Sequence, residues 1–372
     1  MSDSPIRILH VIGSMNRGGA EVMIMNLYRN IDRSKVQFDF VVQVEEKASF
    51  DDEIISLGGR IFHCPAFNAK NYFLYKKWWN QFFEKHHKEY RAVHGHIGRS
   101  VSTFLKIARK YHLYTIAHSH NTAPKGIKSF LITAYAWPTR FLADFYFACS
   151  VDAGVSRYGT RISKNQKKFK VLNNAIETRK FQFDEKVREE IRREYGIEQK
   201  IVIGHIGRFV NQKNHIFLLD IFEKIHSKCQ DTILMLVGDG ELRDSIQTKV
   251  KRMGLDDAVI FIGVQEDVSV LYQAMDVFVF PSLFEGLGIV AVEAQTTGLQ
   301  CVISDAVSKE CIVTKNQVSI CSLKESAEKW AEIVLKNSNY VRKDSSEQVI
   351  AHGYDIHETA KWLSNFYMEI KK

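Results

Sequence analysis

Two glutamates eight residues apart, Glu285 and Glu293, flank a glycine loop in the run Phe280-Pro281-Ser282-Leu283-Phe284-Glu285-Gly286-Leu287-Gly288-Ile289-Val290-Ala291-Val292-Glu293-Ala294. Carboxylates accept hydrogen bonds from hydroxyl groups. Free amides at the start of a helix attract phosphate through their partial positive charge. The segment Asp276 to Phe280 reads as a buried strand ending at Pro281, and Ile289 to Ala294 reads as a helix. With a helix beginning near Leu287, Glu293 stands about two turns beyond Glu285, up to ~12 Å of axial rise away. A pair so spaced suits the two ends of an extended ligand such as a nucleotide sugar. Glycoside hydrolysis is disfavoured, because hydrolases set two carboxyls across one bond at ~5 to 10 Å.

Upstream, Gly207-Arg208-Phe209-Val210-Asn211-Gln212-Lys213-Asn214-His215 follows the strand Ile201 to Ile206 and sets Arg208 and Lys213 five apart around a turn. An arginine fork and a lysine point charge suit a diphosphate. The pair also sits at the carboxyl end of a first strand, where open α/β sheets bind ligands. Near the N-terminus, Ile6 to Ile12 runs into Gly13-Ser14-Met15-Asn16-Arg17-Gly18-Gly19-Ala20-Glu21, where Gly18 and Gly19 let backbone approach a ligand before a helix opens at Ala20. Glycines at 13, 18 and 19 do not match GxGxxG, and nothing matches Walker A. Dinucleotide binding is therefore disfavoured, although Glu45 and Glu46 follow the second strand where an NAD enzyme places its ribose acid. His94 and His96 close one strand, and His118 and His120 the next. No nearby carboxylate completes a ligand set with these four, so no metal is expected.

Short β-type runs alternate with helical patterns along the chain, which describes a doubly wound parallel sheet. The pattern restarts at Ile201 after a switch near Lys170 to Glu177 and a charged, helix-rich connector from Arg179 to Tyr195. Two Rossmann-like domains follow: residues 1–175, and residues 176–352, with a C-terminal helix in 353–372 packing back on the first. At 372 residues and 45% hydrophobic, the chain is long enough for two cores. Charge is uneven: residues 1–180 hold 28 Lys+Arg against 14 Asp+Glu, within a total of +8. A basic half implies an anionic partner. With no helix-turn-helix and no RNA-binding aromatic motif, that partner is not expected to be nucleic acid. The opening run reads as a first strand rather than a secretory signal, and no apolar stretch reaches the ~18 to 20 residues that span a bilayer. Six scattered cysteines without a CxxC point to a reducing compartment. Between Lys70 and Lys88, lysines interleave with Trp78, Trp79, Phe82 and Phe83, the pattern of an interfacial helix that buries its rings at headgroup level. The alternative is a helix packing those aromatics into the first core.

Taken together, the motifs resemble the retaining nucleotide-sugar glycosyltransferases of family four, with the GT-B fold of two Rossmann-like domains facing a cleft, over essentially the whole chain. Gly18-Gly19-Ala20-Glu21 is similar to that family's N-terminal glycine loop, Arg208 and Lys213 to its diphosphate pair, Gly238-Asp239-Gly240-Glu241-Leu242 to its glycine-acid turn, and Glu285-x7-Glu293 to its paired-glutamate signature. Ile8-Leu9-His10-Val11-Ile12 and Ala117-His118-Ser119-His120-Asn121 resemble the bacterial exopolysaccharide and capsule branch. The resemblance implies that Glu285 bonds hydroxyls of the donor hexose, Glu293 takes the ribose hydroxyls, and Arg208 and Lys213 bind the diphosphate without a metal. It implies further donors from the amides of Gly286, Leu287 and Gly288, and an active-site histidine at His118, with His120 an adjacent alternative. Asn173-Asn174-Ala175 departs from the family's Pro-Asn-Gly at the domain boundary, and Leu287 replaces its phenylalanine. The implied reaction is retaining transfer of a hexose or N-acetylhexosamine from a nucleotide diphosphate sugar, expected to be UDP-linked. The implied acceptor is a polyprenyl-diphosphate-linked saccharide, met by a cytoplasmic enzyme at the anionic inner face of the membrane. A nucleotide-sugar 2-epimerase of the same fold is the rival enzyme, and the paired glutamates favour the transferase. The rival outside enzymology is a membrane or nucleic-acid binder driven by the basic half.

Overall fold

In the computed structural model, residues 4–96, 98, 100–120 and 137–371 are described. They divide into two compact units, one running to Ala175 and resuming at Asp355, the other Ile176–Tyr354.

Unit 1 is built on β1 (Ile6–Val11), β2 (Val36–Val42), β3 (Ile61–His63), β4 (Tyr90–Gly95), β5 (Tyr114–Ser119), β6 (Phe145–Ala148) and β7 (Phe169–Val171), in the order β3-β2-β1-β4-β5-β6-β7. Every pairing is parallel. Strands such as β6 are buried on both faces, which is why they read as near-continuous apolar runs. The order reverses between β1 and β4, and such a reversal opens a crevice beyond the carboxyl ends of the two strands.

In the helix Tyr72–His86, the aromatics take the second of the two alternatives and pack into the first core. Tyr75, Trp79, Phe82 and Phe83 recur at helical spacing and form one buried stripe, with the Trp79 ring centre 5.1 Å from that of Phe104 of the helix Val101–Lys110, the rings tilted by 30°. Trp78 is partly buried and lies 5.0 Å from Phe82. What the helix leaves exposed is Phe73 (81%) and Leu74 (58%), beside the exposed Lys76 and Lys77.

The helix Ile356–Glu369 closes unit 1 by adding Ile356, Ala360, Leu363 and Tyr367 to the core of β1, β2 and the helix Gly19–Asn30. Its Trp362 ring sits 4.1 Å beneath the Lys170 ammonium, and the Ile370 carbonyl accepts a 2.7 Å bond from Arg91.

Unit 2 repeats the plan with six parallel strands, β8 (Ile201–Ile206), β9 (Thr232–Val237), β10 (Val259–Gly263), β11 (Val277–Phe280), β12 (Gln300–Ser304) and β13 (Val318–Cys321), ordered β10-β9-β8-β11-β12-β13. Its reversal lies between β8 and β11. The strands preceding the basic loop and the Glu285 loop are therefore neighbours, and their loops leave the sheet side by side.

Candidate functional site

Sequence-distant segments meet at the β8/β11 reversal. His205, fully buried on β8, donates from Nδ1 to the Val279 carbonyl at 2.8 Å; burial keeps the ring neutral by holding its pKa well below the usual range. Beyond the strands, Asn214 adopts a left-handed conformation (φ 57°) at the start of the helix His215–Lys228, and its amide donates to the Pro281 carbonyl at 3.1 Å. The Leu283 amide donates to Gln212 O at 2.8 Å, and Gln212 Nε2 donates to Phe284 O at 2.9 Å. These bonds fix the basic loop against the glutamate loop, and they bring Lys213 Nζ to 2.7 Å from Glu285 Oε1. The two side chains are 15% and 9% exposed, and the ammonium also lies 4.8 Å from the centre of the Phe280 ring.

The glycine-acid turn supports the same loop from β9. Phe209 N donates to Asp239 O, Leu242 N to Phe209 O, and Gly207 N to Val237 O, at 2.9, 2.9 and 3.0 Å. A Cβ on Gly238 would stand 2.2 Å from Gly207 O, and one on Gly240 would stand 2.6 Å from Phe209 O. Glycine is required at both places because the two backbones touch.

Arg208 is exposed at the head of the loop, and its guanidinium makes no hydrogen bond or ion pair among the described residues. The helix after Glu285 begins at Ile289, two residues later than the apolar pattern suggests, because Gly288 takes φ +76° as its N-cap. The amides of Gly286, Leu287 and Gly288 have no acceptor among the described residues. A Cβ on Gly286 would meet nothing within 4 Å. The loop thus offers open donors beside a lysine and a carboxylate.

Glu293 lies further along that helix, where Tyr272 donates to its Oε2 at 2.8 Å. Burial pushes the carboxyl up to about 7; the Tyr272 bond acts against this, Asp267 adds to it, and Lys213 opposes it. Tyr272 has no signature in the sequence. It reaches Glu293 from the neighbouring helix Ser269–Ala274 through tertiary packing.

The remaining expected site residues belong to unit 1. Gly18 caps the helix Gly19–Asn30 and is crowded by Glu21, whose Oε2 would be 2.3 Å from a Cβ there, while Gly19 faces open space. His118 is 5% exposed, neither ring nitrogen has a partner among the described residues, and the ring stacks at 4.1 Å on the less buried His120. His10, which reads in the sequence as an ordinary strand residue, joins the same histidine stack.

Two parallel-sheet units, the second carrying a cation–carboxylate pair at its topological reversal, define a glycosyltransferase of the GT-B fold. Residues 187–346 match the family described as glycosyl transferases group 1. Over 99% of its length the chain is 33% identical to EpsF of Bacillus subtilis (strain 168), named as a glycosyltransferase, covering 97% of that protein. The chain belongs to this glycosyltransferase family. It is 26% identical to the capsular polysaccharide biosynthesis glycosyltransferase CapM of Staphylococcus aureus over 66% of this chain and 64% of that one. A stretch of 119 residues, 31% of this chain and 30% of the relative, is 34% identical to the UDP-Gal:alpha-D-GlcNAc-diphosphoundecaprenol alpha-1,3-galactosyltransferase of Escherichia coli. The solved structure of Anabaena HepE in complex with UDP and glucose shares the fold at a TM-score of 0.73 and 18% identity, over 98% of this chain and 100% of that one.

Proposed function

We propose that the protein transfers a hexose or N-acetylhexosamine from a UDP-sugar to a lipid-linked saccharide in exopolysaccharide or capsule biosynthesis, with retention at the anomeric carbon. The observation that carries this reading is the Lys213–Glu285 pair, 2.7 Å apart where the β8 and β11 loops meet. A cation and a hydroxyl-accepting carboxylate held side by side straddle the bond between a diphosphate and a sugar. As that bond breaks, charge accumulates on the diphosphate. Lys213, Arg208 and the amides of Gly286, Leu287 and Gly288 receive it without reorganisation, and this preorganised stabilisation takes the place of a metal ion. Glu285 orients the hexose and Glu293 the ribose. His118, neutral because burial holds its pKa well below the usual range, is assigned a catalytic role, and Gly18 and Gly19 a donor-binding one. The lipid-linked acceptor rests on the likeness to the Escherichia coli enzyme, whose name specifies a diphosphoundecaprenol substrate.

A panel of nucleotide sugars tests the donor class through thermal stabilisation and slow hydrolysis. UDP-sugars are expected to give the largest stabilisation and to release UDP. Stabilisation by none of the panel contradicts the reading, and a 2-epimer formed without acceptor redirects it to an epimerase.

Ionisation of Glu293 makes donor binding pH-dependent. With its pKa raised to about 7, the carboxylate that accepts ribose hydroxyls is the minor form at pH 6 and the major form at pH 8. Affinity for UDP-glucose, whose diphosphate does not titrate in this range, should rise about tenfold between those values. Glu293→Gln should bind more weakly and show a flat profile by calorimetry; a flat profile in the parent contradicts the assignment. Stability runs the other way. The folded state holds a proton that the unfolded chain, with the ordinary value of 4.5, releases first, so stability falls as pH rises from about 4.5 through about 7.

The membrane-facing element of this reading is now the start of the helix Tyr72–His86, where Phe73 and Leu74 project beside Lys76 and Lys77. Each lysine near an anionic leaflet contributes about 1 kcal/mol. Flotation with anionic liposomes should recover the parent and lose the Phe73→Ala/Lys77→Ala double variant. Absence of binding by the parent removes membrane docking from the account.

A further inference from the structure

The reversal between β1 and β4 in unit 1 carries a group of side chains that sugar transfer does not use. His10 and His94 are direct register partners across those strands, and His96 follows one residue beyond β4. One ring nitrogen from each lies within 4.8 Å of the others, and His10 Nδ1 is 3.0 Å from His96 Nε2. His118 and His120 extend the stack on the other side of His96, whose Nδ1 is 2.8 Å from His120 Nε2.

The proton count decides what this cluster is suited to. A neutral imidazole has one N–H and one lone pair. His94 Nδ1 is 2.7 Å from the Tyr367 hydroxyl, while its Nε2 is buried and has no partner among the described residues. A buried N–H without an acceptor is the rarer and costlier state. The arrangement that avoids it has His94 donating from Nδ1 to Tyr367 and presenting a bare lone pair at Nε2, which is how an outer-shell partner orients a metal-binding histidine. Nε2 of His10 is likewise buried and has no partner among the described residues, so the same argument puts its proton on Nδ1, facing His96, and its lone pair on Nε2. The ligand groups are imidazoles only. Such a set favours Zn2+, Ni2+ or Cu2+ over Mg2+ or Ca2+.

We propose that His10, His94 and His96 form a three-imidazole site for a first-row divalent transition cation, Zn2+ foremost, with a fourth position taken by water or an anionic oxygen. This departs from the expectation of no metal, which rested on the missing carboxylate. Three neutral ligands leave the ion's charge uncompensated, so the fourth ligand is best an anion. Ligand nitrogens about 2.0 Å from zinc stand about 3.3 Å apart in a tetrahedral site, a closing of about 1.5 Å at the widest pair that imidazole rotation can supply. The site belongs wholly to unit 1 and is independent of the donor-site reading.

The test uses the full untagged chain, stripped with chelator and titrated with ZnCl2 by calorimetry and with CoCl2 by visible absorption. One equivalent should bind, and cobalt should give the ligand-field bands of a four-coordinate nitrogen site. His10→Gln and His94→Gln should each weaken binding at least about a hundredfold, and Tyr367→Phe about tenfold, as outer-shell partners do. His120→Gln should stay within about threefold. Far-UV circular dichroism without metal checks folding, and His96→Gln replaces either ligand variant that fails to fold. No saturable binding, binding that survives in the ligand variants, or loss in His120→Gln alone overturns the assignment. UDP affinity should be the same with and without zinc.

Discussion

Lys213→Ala lowers kcat for sugar transfer by about 10²–10³-fold, the usual loss on removing one preorganised donor from developing negative charge. The loss falls on kcat more than on KM, because Lys213 is paired with Glu285 at 2.7 Å in the free protein and meets its full complement of charge only as the diphosphate departs. Removing the ammonium also leaves a carboxylate 9% exposed without its partner, so some stability is lost as well. Adding Glu285→Gln to Lys213→Ala separates the two effects, because it removes the unpaired carboxylate while weakening the grip on the hexose. Steady-state kinetics with the cognate UDP-sugar, alongside circular dichroism, reads both. A folded Lys213→Ala enzyme with parental kcat contradicts the role.

Gly238→Ala should destabilise unit 2 by about 3 kcal/mol or more, combining backbone strain with overpacking. Gly238 has φ +128°, and a Cβ there would stand 2.2 Å from Gly207 O. The contact is with backbone, so it cannot be relieved by a rotamer change. Relief requires the Gly207–Arg208 segment to move, which carries Lys213 off Glu285. UDP affinity should therefore fall together with the urea midpoint. Gly286→Ala is the contrast: its Cβ meets nothing within 4 Å, and stability should stay within about 0.5 kcal/mol. A Gly238→Ala protein as stable as the parent rules out the close approach of the two loops.

The parts of this architecture that depend on local pattern were legible. Strand β8 appears in the sequence at its observed limits, Ile201–Ile206, and β11 to within one residue, because parallel strands buried on both faces are near-continuous apolar runs. The edge strands β3 and β13 and the helix Ala327–Asn337 have no such contrast: β3 has only three residues and β13 carries a polar serine. The Gly288 cap delays the helix by two residues because a left-handed glycine interrupts an apolar run that otherwise looks continuous. The aromatic stretch near Trp79 was ambiguous for a physical reason: rings spaced for a membrane surface are also spaced for a core, and only the partner Phe104 decides. Of the candidate site, Arg208, Lys213, Glu285 and Glu293 stand out in the sequence by residue type and position. Their bracing does not, since Tyr272, Gln212 and Asn214 act across tertiary contacts. The same holds for His10, whose neighbour His94 is set by strand register rather than by any local motif.

The central claim is that the β8 and β11 loops of unit 2 hold the leaving group of an activated sugar. A crystal structure of the protein with UDP tests it most directly. The account predicts a diphosphate within hydrogen-bonding distance of Lys213 Nζ and of at least one amide among Gly286, Leu287 and Gly288, with the ribose hydroxyls on Glu293. A diphosphate bound away from both Lys213 and that loop contradicts it.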